Sequence, residues 1–141
     1  MNEPQILDII RNAKTIAVYG MQDEKKSNLP AYRIPAQLHA RGYQILPINP
    51  NIESALGIRA FAKMSDLPLA PDILDVFRRS EFIPALADEI LALPEAKRPR
   101  TVWLQSGITH AAAGAKLMAA GMNVVSDRCL GVEAAHAGKA P

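Results

Sequence analysis

Apolar residues along this chain come in short blocks, each closed by glycine, proline or a polar run. Asn2-Glu3-Pro4 reads as a helix start, with Asn2 as N-cap and Pro4 in the first turn. Ile6, Leu7, Ile9 and Ile10 then give one apolar side, leaving Asp8 and Arg11 to solvent. Thr15 to Tyr19 is an apolar, partly β-branched run suited to a buried central strand, and Gly20 breaks it. After a polar loop, Ile34, Leu38 and Arg41 lie on helical spacing and Gly42 is a C′ stop. Starting this helix near Tyr32 places Pro35 in its first turn, where no intrahelical bond is lost. One backbone N–H is then missing from the helix start.

Tyr43 to Ile48 predicts a second strand, closed by the turn Asn49-Pro50-Asn51. Leu56 to Phe61 reads as a short edge strand with Gly57 as its turn, and Ser65 to Pro68 as a single helical turn or loop. Ile73 to Phe77 is the next strand, ending at Arg78-Arg79. Ser80 can cap a helix running to about Leu93, with Leu86, Ile90 and Leu93 on its buried side. Thr101 to Leu104 is a strand ending at Gln105-Ser106-Gly107, and Thr109 can cap an alanine-rich helix over 110–120. Met122 to Val125 is the last strand, and the tail from Ala134 is small and polar enough to fray. Strand and helix alternate with short connections, which predicts an α/β fold: a three-layer open parallel sheet with helices on both faces.

With 141 residues the chain suits one domain over 1–141. A net charge of +2 on scattered lysines and arginines gives no reason to expect a nucleic acid or an acidic membrane as partner. A single cysteine, Cys129, excludes a disulfide framework and fits a reducing compartment. There is neither a basic stretch leading into an apolar leader nor an apolar run of about 20 residues. A soluble cytoplasmic protein is the expectation.

In an open parallel sheet, ligands bind outside the carboxyl ends of the strands, where the strand order reverses. The residues at those ends are polar or glycine: Gly20 and Met21, Asn49 and Pro50, Arg78 and Arg79, Gln105 to Gly107, and Asp127 to Cys129. A glycine turn running into a helix start presents backbone N–H groups and a favourable dipole to an anion. The arginine fork suits phosphate, while a surface ion pair to Glu81 or Asp127 is the plainer role for Arg78 or Arg79. The dinucleotide fingerprint G-x-G-x-x-G is absent, since the turn reads Gly20-Met21-Gln22-Asp23-Glu24-Lys25. The second strand ends in Asn49-Pro50 rather than in the carboxylate of an NAD site, which favours a ligand phosphorylated on its ribose. NADP and coenzyme A both qualify.

Five blocks carry a resemblance to a known family: TIAVYGMQDEKKSNLPAYRIPAQL, YQILPINPN, DILDVFRR, VWLQSGI and VVSDRCL. In this order they resemble the small CoA-binding Rossmann-fold proteins, which are similar to the CoA-binding domain of the succinyl-CoA synthetase alpha subunit. The resemblance implies a Rossmann-like CoA-binding domain. It also implies that Gly20 and Met21 run beside the nucleotide, and that Ser27, Asn28, Tyr32 and Arg33 hold its phosphates. Asn49 and Pro50 would flank the adenosine, Phe77 and Arg78 border the cleft, and Gln105 and Gly107 face the pantetheine arm. Asp127, Arg128 and Cys129 match the closing motif. Two positions depart from the family pattern: Asn51 and Gly131 stand where lysine is usual.

Catalytic machinery is not visible. His39, His110 and His136 are far apart and, with one cysteine, give no zinc-ligand spacing. His136-Ala137-Gly138 resembles the synthetase phosphohistidine segment only superficially, because the domain presenting that histidine is missing. Cys129 reads as a structural cysteine rather than a nucleophile or a partner for the CoA thiol, and there is no nucleophile elbow. The expected function is therefore binding of coenzyme A or an acyl-CoA as a stand-alone module. The alternatives are an NADP-linked oxidoreductase and an interaction subunit that keeps the fold without the ligand. The N-terminal helix and the alanine-rich helix can each offer an apolar patch to a homodimer or turn it to the core.

Overall fold

The computed structural model describes residues 1–138. The apolar blocks form β1 (Thr15–Tyr19), β2 (Gln44–Ile48), β5 (Ile73–Val76), β6 (Thr101–Leu104) and β7 (Asn123–Val125) of one sheet. Their order is β2-β1-β5-β6-β7 and every pairing is parallel. All four residues of β5 and of β6 are buried, as strands covered on both faces require. The helices α1 (Glu3–Asn12), α2 (Pro30–Ala40) and α5 (Leu130–His136) cover one face around Ile10, Ile16, Leu38, Trp103 and Leu130. The helices α3 (Ile83–Leu91) and α4 (Ala111–Ala119) cover the other around Leu74, Leu86, Ile90, Leu104 and Leu117. This is the three-layer, Rossmann-like arrangement expected from the alternation of elements.

Local signals decide several element ends. Asn2 and Gln5 form a reciprocal capping box at α1, each side chain accepting the other's backbone N–H at 2.9 Å. Asp72, just before β5, accepts from the backbone N–H of Lys14 and Thr15 at 2.8 and 3.1 Å. Thr15 Oγ1 accepts in return from the Asp72 N–H at 2.9 Å, which laces the starts of β1 and β5 together.

Other ends differ from the sequence reading. The helix α2 begins at Pro30, behind Leu29 as N-cap, so Pro35 lies inside it. A proline there cannot donate to the carbonyl four residues earlier, that of Ala31. The Ala31 carbonyl accepts from the Gln22 N–H at 3.1 Å instead, so the missing helix bond is used to tether the loop after β1. The expected edge strand is a hairpin, β3 (Ser54–Ala55) with β4 (Ile58–Arg59), turning at Leu56-Gly57; Phe61 makes a lone parallel bridge to Ile48.

Ser80 is not the cap of α3, which begins at Ile83 after a short 3-10 turn; its Oγ accepts from the Thr109 N–H at 3.0 Å. Thr109 is not the cap of α4 either. His110 is, its Nδ1 accepting from the Ala113 N–H at 3.1 Å. The region from Ala134 does not fray through 137: Ala134 and Ala137 are buried at the end of α5. The remainder of that expected tail lies outside the described residues.

One buried group stands apart. Asp75 is in register with Val18 and Trp103 at the middle of the sheet and is fully buried. Among the described residues neither of its carboxyl oxygens has a hydrogen-bond partner. Burial pushes its carboxyl well above the usual carboxylate range.

Candidate functional site

The chain reverses its direction of travel across the sheet between β1 and β5, which are neighbours there. From β1 it runs through α2 to β2 on one side; from β5 it runs through α3 to β6 on the other. The carboxyl ends of β1 and β5 therefore form a crevice with a helix leaving on each face. Gly20 and Phe77 meet at its floor, where the Phe77 N–H donates to the Tyr19 carbonyl at 2.9 Å. Gly20 has φ +84°, and a β-carbon built on it would stand 2.5 Å from the Phe77 carbonyl oxygen. Only glycine satisfies both conditions.

Two cavities open on either side of this saddle and share Gly20, Gln22, Phe77 and Arg78. The first, of about 440 Å³, lies at the ends of β1 and β2 and includes Asn49, Pro50, Lys63 and Glu89. The second, of about 670 Å³, runs toward β6 past Arg33, Gln105, Gly107 and Cys129. Both volumes fall in the range of small-molecule sites.

Of the residues expected from sequence, Gly20, Arg33, Asn49, Pro50, Phe77, Arg78, Gln105 and Gly107 line these two lobes. Met21 does not; its side chain is fully buried in the core and only its backbone runs along the loop. Ser27, Asn28 and Tyr32 also lie outside the lobe walls, on the polar loop and first turn of α2. Arg33 Nη1 donates to the Asn28 carbonyl at 3.1 Å, and the hydroxyl of Tyr32 meets Glu24. Glu24 in turn accepts from the Leu56 N–H at 2.8 Å, so this loop is tied to the β3–β4 hairpin.

Several site residues have structural duties as well. Asn49 is buried, with Nδ2 donating to the Met21 carbonyl and Oδ1 accepting from the Asn51 N–H, both at 2.9 Å. It thus clamps the loop after β1 to the turn after β2. Gln105 Oε1 accepts from the Leu130 N–H at 2.9 Å, fixing the start of α5 beside the second lobe. Asp127, with φ +57°, accepts from the Gly107 N–H at 2.6 Å.

Both arginines after Phe77 line the second lobe, and each makes a further contact. Arg78 stacks over the Phe82 ring, its guanidinium carbon 4.1 Å from the centroid, while facing both lobes. Arg79 pairs with Glu81 at 3.4 Å on the exposed surface, the plainer role. Arg128 of the closing motif bridges Glu3 and Glu133 at 2.6 and 3.2 Å, joining α1 to α5.

Gly131, where lysine is usual in the resembling family, is a packing position here. A β-carbon there would lie 3.1 Å from both Gln37 Oε1 and Ile34 Cγ2 of α2. The two helices approach closely because that side chain is missing.

Three lining residues had no signal in the sequence. Tyr19 ends β1, and its hydroxyl donates to Glu89 Oε2 at 3.2 Å from α3. Burial, then the adjacent Glu89 carboxylate, push the Tyr19 hydroxyl above its ordinary pKa. Lys63 comes from the turn before β5 and is exposed at the rim of the first lobe. No motif links Glu89 or Lys63 to Asn49; tertiary folding alone brings them together.

Among the described residues, no three of His, Cys, Asp and Glu gather as a metal site, and no histidine lines either lobe. None of the described helices is long and apolar enough to cross a membrane.

Comparison with known proteins shows the family and the fold. The chain matches the family model described as the CoA binding domain over residues 14–135. It is 34% identical over 136 residues to the uncharacterized protein YneT of Bacillus subtilis, covering 96% of this chain and 95% of that one. The solved structure of the protein cell-free ID.343 from Thermus thermophilus is 39% identical, with a TM-score of 0.87, and covers 97% of this chain and 99% of its own. A dinucleotide-forming acetyl-coenzyme A synthetase from Ca. Korarchaeum cryptofilum shares the fold at a TM-score of 0.67 and 21% identity. That match covers 84% of this chain but 27% of the synthetase.

Proposed function

Because the chain belongs to the CoA-binding domain family, we propose that it is a binding module for coenzyme A or an acyl-CoA. The observation that carries this reading is the two-lobed cleft meeting at the Gly20–Phe77 saddle. A CoA molecule has a bulky nucleotide end, a pyrophosphate and a long arm. The first lobe suits the adenosine, flanked by Asn49 and Pro50. The saddle suits the pyrophosphate, where backbone approaches closely and Arg78 offers a guanidinium to either side. The second lobe suits the pantetheine arm, which would pass Gln105 and Gly107 toward Cys129.

Ser27, Asn28 and Tyr32 act in this reading as the rim that positions Arg33 and the start of α2, rather than as direct phosphate ligands. No catalytic step is assigned. The lobe walls hold no histidine to act as a base, and Cys129 is the lone cysteine.

A second reading, an NADP-linked oxidoreductase, draws on the same Asn49-Pro50 turn, which also suits a ribose phosphate. Thermal unfolding with CoA, acetyl-CoA and NADPH separates the two. A hundredfold excess of a true ligand over its dissociation constant adds about 2.7 kcal/mol of stability. CoA or acetyl-CoA is expected to raise Tm and NADPH to leave it unchanged. A shift with NADPH alone would replace the CoA reading, and a flat response to all three would leave an interaction subunit. Native mass spectrometry of the purified protein then identifies any acyl group it carries.

A further inference from the structure

Coenzyme A differs from its dephosphorylated precursor by one ribose 3′-phosphate, and the turn Asn49-Pro50-Asn51 at the nucleotide end of the cleft offers that dianion no cationic side chain. Asn51 is neutral, and its backbone N–H is already held by Asn49 Oδ1 at 2.9 Å. The first lobe nevertheless contains a lysine. From the turn that follows β4, Lys63 lines this lobe, as do Pro50 and Asn51. Lys63 stands at the N-cap of the 3-10 turn Met64–Asp66, but its side chain makes no capping hydrogen bond there and forms no ion pair among the described residues.

The other charged groups of this lobe are accounted for. Glu89 is held by the Tyr19 hydroxyl at 3.2 Å, and Arg78 is stacked on Phe82 at the saddle between the lobes. Lys63 is thus the cation at the nucleotide end that has no structural task. We propose that Lys63 grips the ribose 3′-phosphate of CoA, taking over from a distant turn the charge that Asn51 lacks. This inference rests on the CoA reading above.

The geometry makes that substitution chemically sensible. An ammonium on a flexible four-carbon stem binds phosphate as a point charge and tolerates a change in its point of attachment. Phe61, two residues before Lys63, is fixed to the end of β2: its N–H donates to the Pro47 carbonyl at 2.8 Å and its carbonyl accepts from the Asn49 N–H at 2.9 Å. The turn carrying Lys63 is therefore held against the same strand end that carries Asn51.

The test is calorimetric titration of the full chain with CoA and with 3′-dephospho-CoA. The wild type should bind CoA about tenfold more tightly, the scale of one charge-assisted contact. Lys63→Ala should remove most of that preference by weakening CoA while leaving dephospho-CoA within twofold. Asn51→Lys added to Lys63→Ala should restore the preference. If Lys63→Ala binds CoA as the wild type does, or loses both ligands equally, Lys63 is not the phosphate grip. If the wild type binds neither molecule, the CoA reading itself fails, a result distinguishable from the first two. Because the Lys63 side chain is exposed and makes no capping hydrogen bond, the variant should keep the wild-type Tm without ligand.

Discussion

Gly20 and Phe77 approach so closely that a β-carbon on Gly20 would stand 2.5 Å from the Phe77 carbonyl oxygen. The left-handed backbone at Gly20, φ +84°, adds a second reason for glycine there. Together these bring two strand ends into backbone contact and open a cleft on each side of it.

Replacing Gly20 by alanine should therefore be costly. The left-handed conformation alone disfavours a side chain by about 1–2 kcal/mol, and the contact with Phe77 O adds to it. Urea unfolding should show a loss of at least about 2 kcal/mol, with CoA binding reduced together with it. A variant as stable as the wild type would mean that the saddle opens freely.

Arg78→Ala should behave in the opposite way. Its side chain is exposed and its contact with Phe82 is worth about 0.5–1 kcal/mol, so stability should change little. Affinity for CoA should fall about tenfold, the effect shrinking as salt screens the phosphate. Titrations at two ionic strengths check this, and an unchanged affinity at low salt would remove Arg78 from the site.

Asn49→Ala should lower both quantities. It removes the donor to the Met21 carbonyl and the acceptor for the Asn51 N–H in a buried setting. Leaving buried partners unpaired costs about 1–3 kcal/mol. Hydrogen exchange should quicken in the loops on both sides of the clamp. Exchange confined to one of those loops would show that Asn49 does not couple them.

Asp75 predicts a pH signature. Its carboxyl is raised in the folded chain above the ordinary 3.8, so the unfolded chain loses that proton first as pH rises. The stability linked to this proton is full below pH about 3.8 and is lost as pH climbs through the folded pKa. Asp72 works in the opposite sense. Burial would raise its carboxyl, but the Lys14 and Thr15 donors outweigh this and hold it below 3.8, so its contribution is lost on acidification. The clean measurement is the difference between Asp75→Asn and wild type across pH. The variant should gain on the wild type as pH rises above the ordinary carboxylate range. A difference that does not vary with pH would mean that Asp75 carries the same charge folded and unfolded.

Much of this protein could be read along the chain. The five sheet strands and the parallel α/β order follow from apolar runs closed by Gly20, the Asn49-Pro50 turn, Arg78-Arg79 and Gln105-Ser106-Gly107, because burial on two faces and chain reversal leave local traces. The same logic placed Gly20, Asn49, Phe77, Arg78 and Gln105 at the strand ends, and the structure brings them around one crevice. Spacing did not show what those residues hold. Asn49 and Gln105 spend side-chain bonds on Met21, Asn51 and Leu130, partners defined only once distant segments meet. Pro35 was misplaced for a related reason: the Ala31 carbonyl that it leaves free is satisfied by Gln22 from another loop. Lys63 and Glu89 enter the first lobe from a turn and a helix with no motif in common with β1 or β2. Periodicity and turn chemistry are local and determined the architecture. Cleft walls are sums of contacts between segments far apart in sequence, and only the tertiary structure decided those.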